Sequence, residues 1–130
     1  MIVVDSSVIV DLLLHAAGLR SLSERLSSDP SWHAPQILDL EVTDVLRKRE
    51  ARGLVSAARA TDAVDFLPKL PLTRWPHMPF LPRIWRLRAN LRAYDASYVA
   101  LAEALDVPLI TRDRRIAGAP GHRARIELIA

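Results

Sequence analysis

Cysteine is absent from the 130 residues, lysine occurs only at Lys48 and Lys69, and no apolar run approaches the roughly 18 residues a bilayer span needs. Without cysteine, disulfide scaffolds, thiolate zinc sites and cysteine nucleophiles are excluded together. The four histidines (His15, His33, His77, His122) lie far apart with no paired spacing, which argues against a histidine-rich zinc site. The apolar opening is cut by Asp5 and Asp11 and has no basic n-region, so no signal or membrane segment is read there. A soluble, cytoplasmic protein is expected.

What is present is a small, arginine-rich chain. Eighteen basic against 15 acidic residues leave a net charge of +3, and all the basic residues but the two lysines are arginine. Arginine suits bidentate phosphate contacts, although a genome-wide coding bias would give the same ratio. The length fits one domain, read as residues 1–130. At 14.5 kDa, roughly two thirds of the unfolded surface would be buried, so no staple is required.

Ile2-Val3-Val4 is a β-branched run that reads as a buried strand of a parallel sheet. Asp5-Ser6-Ser7 offers helix-capping chemistry, and Val8 to Leu14 continues as an apolar helix that loses its pattern near Gly18. Leu19, Leu22 and Leu26 carry a second helix to Asp29-Pro30. A short strand at Trp32 to Ala34 precedes a helix from Pro35 to about Arg52, stopped by Gly53. Further helices are expected at 54–67, 83–91 and Asp95 to Leu105, with an edge strand between Leu70 and Trp75 in a segment holding five prolines. Val107 to Thr111 and Ile126 to Ile129 close the set of about five strands, with a loop from Arg112 to Arg125 between them. The alternation predicts an α/β domain with a mostly parallel sheet flanked by helices.

Ligand sites of such sheets lie beyond the carboxyl ends of the strands. Asp5 ends the first strand, and Asp113 follows the strand ending at Thr111. Asp95 opens a helix descending into that same strand, and Glu41 lies in the early turns of the helix after Trp32 to Ala34. Glu41 and Asp95 also fall inside apolar arcs, where an acid is costly unless paired, protonated or bound to a metal. Taken singly, Asp5 and Asp95 read as helix caps, Glu41 as a rim residue reaching water, and Asp113 as a loop acid beside Arg112, Arg114 and Arg115. Four acids from four segments meeting at one edge would repel, and a divalent cation removes the repulsion. Oxygen ligands alone select Mg²⁺ or Mn²⁺ over zinc or copper.

The segments Val3-Val4-Asp5-Ser6-Ser7-Val8, Ala34-Pro35-Gln36-Ile37-Leu38-Asp39-Leu40-Glu41-Val42, Tyr94-Asp95-Ala96-Ser97-Tyr98-Val99-Ala100-Leu101-Ala102 and Leu109-Ile110-Thr111-Arg112-Asp113 together resemble the PIN-domain ribonucleases. Length and spacing look most like the VapC toxins of type II VapBC toxin–antitoxin pairs. The resemblance implies a PIN fold, an endoribonuclease leaving a 5′-phosphate and a 3′-hydroxyl, and Asp5, Glu41, Asp95 and Asp113 as the acidic quartet holding Mg²⁺ or Mn²⁺. Asp5, Asp95 and Asp113 would be direct ligands, while Glu41 would ligate, hold a water, or act as base. Ser7 matches the hydroxyl residue that arranges the site, and Thr111 the Thr of the Thr-x-Asp motif. Some members carry a further acid after the position of Asp113, where this chain has Arg114, Arg115 and Ile116. One tightly held ion, with a second arriving alongside RNA, fits that departure.

Arg112, Arg114 and Arg115 are read either as RNA phosphate contacts or as a solvated basic loop. The resemblance also implies a homodimer and a VapB-type antitoxin partner, and the apolar Trp75, Met78, Phe80, Leu81 and Trp85 are read as a partner surface or a satellite core. Rival readings are an RNA-processing PIN nuclease without antitoxin and a non-catalytic PIN-like RNA-binding module. Setting the four acids aside leaves +7 on the rest of the chain, a basic surface around an acidic notch.

Overall fold

Ile2, Val3 and Val4 are fully buried in β1 (Ile2–Val4), as a strand covered on both faces requires. The structure, a computed structural model, describes residues 1–14 and 20–129. β1 pairs on one side with β2 (Trp32–Pro35), which pairs in turn with the edge strand β3 (Leu72–Trp75). On its other side lie β4 (Leu109–Thr111) and then β5 (Ile126–Leu128). The order is β3-β2-β1-β4-β5 and every pairing is parallel, so the sheet expected to be mostly parallel is wholly so.

Seven helices flank the sheet among the described residues: α1 (Ser6–Leu14), α2 (Arg20–Ser27), α3 (Ile37–Ala51), α4 (Ala57–Phe66), α5 (Leu81–Arg86), α6 (Ala93–Leu105) and α7 (Arg114–Gly118). The expected break near Gly18 and the start of the second helix at Leu19 lie outside the described residues. Pro35 ends β2 rather than opening α3. At the last ladder position its missing N–H costs little. The helix expected over 83–91 starts at Leu81, because Pro82 is tolerated in the first turn, and gives way after Arg86 to turns. The loop expected from Arg112 to Arg125 contains α7, opened by the Asp113 carboxylate accepting from the Arg115 backbone N–H.

The central helix α6 packs against β1, β2 and β4, and its residues Ala96 to Ala102 are all buried. Three alanines and Ser97 in that run let the backbone approach the sheet closely, so burial extends around the helix rather than along one stripe. The order in which β1 runs outward to β2 and β3, then returns across itself to β4, makes the carboxyl ends of β1 and β4 the topological switch point. Asp5 follows one of those ends and Asp113 the other.

Of the proline-rich segment, Trp75 and Phe80 pack against the core, whereas Met78, Leu81 and Trp85 are exposed. The segment thus divides between satellite core and open apolar surface. Among the described residues no helix is long and apolar enough to cross a membrane.

Candidate active site

Asp5 leaves β1 and enters α1, and its carboxylate is almost fully buried. Oδ1 accepts from Ser7 Oγ at 2.6 Å and from the Val8 backbone N–H at 3.2 Å, while Oδ2 accepts from Thr111 Oγ1. Asp5 therefore is the helix cap that its sequence allowed. Burial pushes its pKa up; the Ser7, Thr111 and Val8 donors oppose that, and the Asp113 charge adds to it.

Thr111, wholly buried at the end of β4, joins two acids. Its hydroxyl donates to Asp5 and accepts from the Asp113 N–H at 2.9 Å. Ser7 does the same from α1, donating to Asp5 and accepting from the Arg112 N–H at 3.1 Å. These two hydroxyls tie the first strand's acid to the loop that carries Asp113.

Glu41 sits one turn into α3, and its Oε1 accepts from the Tyr98 hydroxyl of α6 at 2.5 Å. Burial raises the Glu41 pKa, Tyr98 opposes the rise, and Asp95 and Asp5 add to it. Tyr98 is itself pushed far up by burial and by Glu41, which keeps it a donor. Sequence patterning placed Glu41 in an apolar arc but missed Tyr98, because an aromatic on a buried helix reads as core.

Asp95 is in the first turn of α6, not at its cap; Arg92 opens the helix. Burial raises its pKa, with Arg92 lowering it from 3.7 Å and the Asp113 charge raising it. Asp113 behaves oppositely. The Arg115 side chain grips its carboxylate through Nε at 3.2 Å and Nη2 at 2.9 Å, holding it below the ordinary range.

The structure thus brings together all four acids expected at this edge: Asp5 senses Asp113, Glu41 senses both Asp5 and Asp95, and Asp95 senses Asp113. Among the described residues no three His, Cys, Asp or Glu side chains stand as a preformed cation cage. Their carboxylate oxygens are engaged by Ser7, Thr111, Tyr98 and Arg115 instead. The donor set nevertheless fits a hard cation in its chemistry. It offers only carboxylate and hydroxyl oxygens, and three of its acids are held up by burial, with like charges adding to the strain.

The three arginines after Thr111 divide. Arg112 is turned onto Asp11 of α1, Arg115 onto Asp113, and Arg114 stands exposed. Asp11 carried no signal beyond interrupting an apolar helix. A larger cleft of about 520 Å³, lined by Leu12, Leu13, Trp32, Ala63, Phe66 and Leu70 among others, contains none of the four acids.

The PIN domain profile matches residues 2–121. Ribonuclease VapC12 of Mycobacterium tuberculosis is 42% identical over 130 residues, 100% of each chain. Ribonuclease VapC1 of the same organism is 41% identical over 128 residues, 98% of this chain and 96% of that one. VapBC2 from Rickettsia felis, solved bound to a DNA fragment from its promoter, superposes with a TM-score of 0.70 over 98% of each chain at 14% identity, a likeness of fold. The chain is therefore a member of the PIN-domain family and, within it, of the VapC ribonucleases.

Proposed function

We propose that this chain is a divalent-metal-dependent endoribonuclease hydrolysing RNA phosphodiester bonds, and the toxin of a type II toxin–antitoxin pair. The observation that carries the reading is that Thr111 ties Asp5 to the Asp113 loop at the switch point of a VapC-family fold, with Glu41 and Asp95 near enough to feel the charge of these acids. Asp5, Asp95 and Asp113 would hold Mg²⁺ or Mn²⁺, as one or two ions with Glu41 beside them, and such a cation neutralises charge on the phosphodiester oxygens as the bond breaks.

The rest of the work falls to the chain's own groups. Ser7 and Thr111 fix both oxygens of Asp5, so its orientation does not depend on substrate. Tyr98 occupies Glu41 Oε1, which leaves Oε2 to take a proton from the attacking water; the raised Glu41 pKa suits that exchange. Of Arg112, Arg114 and Arg115, Arg114 is the one whose guanidinium has no carboxylate partner among the described residues, and, exposed beside the site, it is assigned to RNA phosphate.

A VapB-type antitoxin is the proposed protein partner, supported by the toxin–antitoxin complex among the structural relatives. A homodimer is proposed too, with the exposed apolar Met78, Leu81, Trp85 and Tyr94 as its surface.

The test is cleavage of cellular RNA with mapped ends. Losing an outer partner of a metal ligand costs about 10–100-fold, so Asp5→Asn and Asp95→Asn should each lose more than about a hundredfold. Each swap removes a charge and little volume, so the fold should stand. EDTA should silence the wild type and Mg²⁺ or Mn²⁺ restore it. Cleavage that survives both substitutions and EDTA would overturn the reading.

A further inference from the structure

Beside the carboxylates lies a second cleft of about 400 Å³, whose walls include Ser7, Val10 and Asp11 of α1, Val45 and Arg49 of α3, and Arg112. Ser7 is the shared wall: its hydroxyl donates to Asp5 at 2.6 Å on one side and accepts from the Arg112 N–H on the other. The cleft therefore begins one side chain away from Asp5.

Its charges do not balance. Asp11 and Arg112 form an ion pair and cancel. Arg49 is partly buried, and its side chain has no hydrogen bond or ion pair among the described residues. Every other described lysine or arginine side chain is either exposed or paired with a carboxylate. The Arg49 side chain thus lines an open cleft with a positive charge that no carboxylate of the described residues pairs. An arriving anion would pair it, and a guanidinium fork matches a phosphodiester's two free oxygens. Val10 and Val45 add apolar wall against which a sugar or base can rest.

We propose that Arg49 is a phosphate-binding residue for the substrate strand, gripping a phosphodiester to one side of the bond that is cut. The assignment rests on the endoribonuclease reading above and adds to it a direction: the strand leaves the carboxylates across Ser7 and runs between α1 and α3. A carboxylate from an acidic protein partner is the competing occupant. The RNA phosphate is favoured because Ser7 both lines the cleft and hydrogen-bonds Asp5, one of the proposed metal ligands.

The test uses the full chain and a fluorescein-labelled single-stranded RNA, with anisotropy read in EDTA across a range of salt. Arg49→Ala should raise Kd about tenfold, the loss of one charge-assisted contact, and lower the slope of log Kd against log salt by about 0.7, one phosphate's share on a single strand. Arg49→Lys should keep the slope and recover part of the affinity, which separates lost charge from damaged packing. Arg52→Ala, exposed at the end of the same helix and outside the cleft, should bind as wild type does. In Mg²⁺, the Arg49→Ala defect should fall on KM more than on kcat.

A wild-type Kd and slope in Arg49→Ala, in a chain that cuts RNA, would overturn this assignment alone. Unchanged RNA binding with a weakened antitoxin complex would overturn it in favour of the protein occupant. A wild-type chain that neither binds nor cuts RNA would take down both readings.

Discussion

At Asp5 the preference of a carboxylate for water is opposed by burial and answered by three donors from Ser7, Val8 and Thr111. Two of these donors tie the site together as well, Ser7 by accepting the Arg112 N–H and Thr111 by accepting the Asp113 N–H. Thr111→Val keeps the shape and removes both bonds. Burial then raises the Asp5 pKa with less to oppose it, and Asp113 loses one of its positional ties. On the proposed reading the ionised form of Asp5 holds the cation, so activity would be present above its pKa and lost as pH falls through it. The acid limb of the pH–rate profile should therefore move to higher pH in Thr111→Val, with activity at neutral pH down by about 10–100-fold. Thr111→Ser should restore most of both. A profile that drops uniformly with its acid limb in place would show that Thr111 serves packing alone.

Among elements, α3 and α7 separate two uses of glycine. Gly53 follows α3 at φ +71°, its N–H returning to Glu50 O at 3.0 Å, and nothing lies within 4 Å of where a Cβ would stand. Gly53→Ala should thus cost about 1–2 kcal/mol of conformational strain alone. Gly118, in α7 and outside the positive-φ region, is equally open, so Gly118→Ala should gain up to about 1 kcal/mol. Chemical denaturation of the pair checks the opposite signs, and two changes of the same sign would refute the account. The helix stop at Gly53 was legible in the sequence for the same backbone reason, as were the five strands, marked by a β-branched run at Ile2–Val4 and elsewhere by short stretches between turn residues. Helix α7 was not, because five residues show no periodicity and its start depends on Asp113 capping in place. The four acids could be placed from strand ends and helix starts. Their partners could not: Tyr98 meets Glu41 across 57 residues and Arg112 meets Asp11 across 101, contacts that tertiary packing alone creates.

For the molecule as a whole, the +3 net charge divides into an acidic edge and a remainder of +7, and the two halves respond to pH in opposite senses. Asp29, Glu103 and Glu127 have pKa values lowered in the fold: Asp29 despite its burial, through donors from the N-terminus and Ser31, Glu103 through Arg83, and Glu127 through Arg25. Their contribution to stability is present above the unfolded pKa and is lost as pH falls through the folded one. Asp5, Glu41 and Asp95 are raised, chiefly by burial. Their contribution is present below the unfolded pKa and is lost as pH rises through the folded one, so near neutrality the ionised site works against the fold. A cation that binds the ionised carboxylates reverses that penalty, and it competes with protons for them. Added Mg²⁺ or Mn²⁺ should therefore raise Tm, and by more at about pH 7.5 than at about pH 5, where protons already fill part of the site. At a cation concentration about a hundred times Kd, the gain is about 2.7 kcal/mol, which for a chain of this size is a Tm increase on the order of 10 °C. Differential scanning calorimetry at both pH values, with Asp95→Asn as the control that loses the increment, measures it. A metal increment that is flat in pH, or that survives in Asp95→Asn, would place the cation away from these acids.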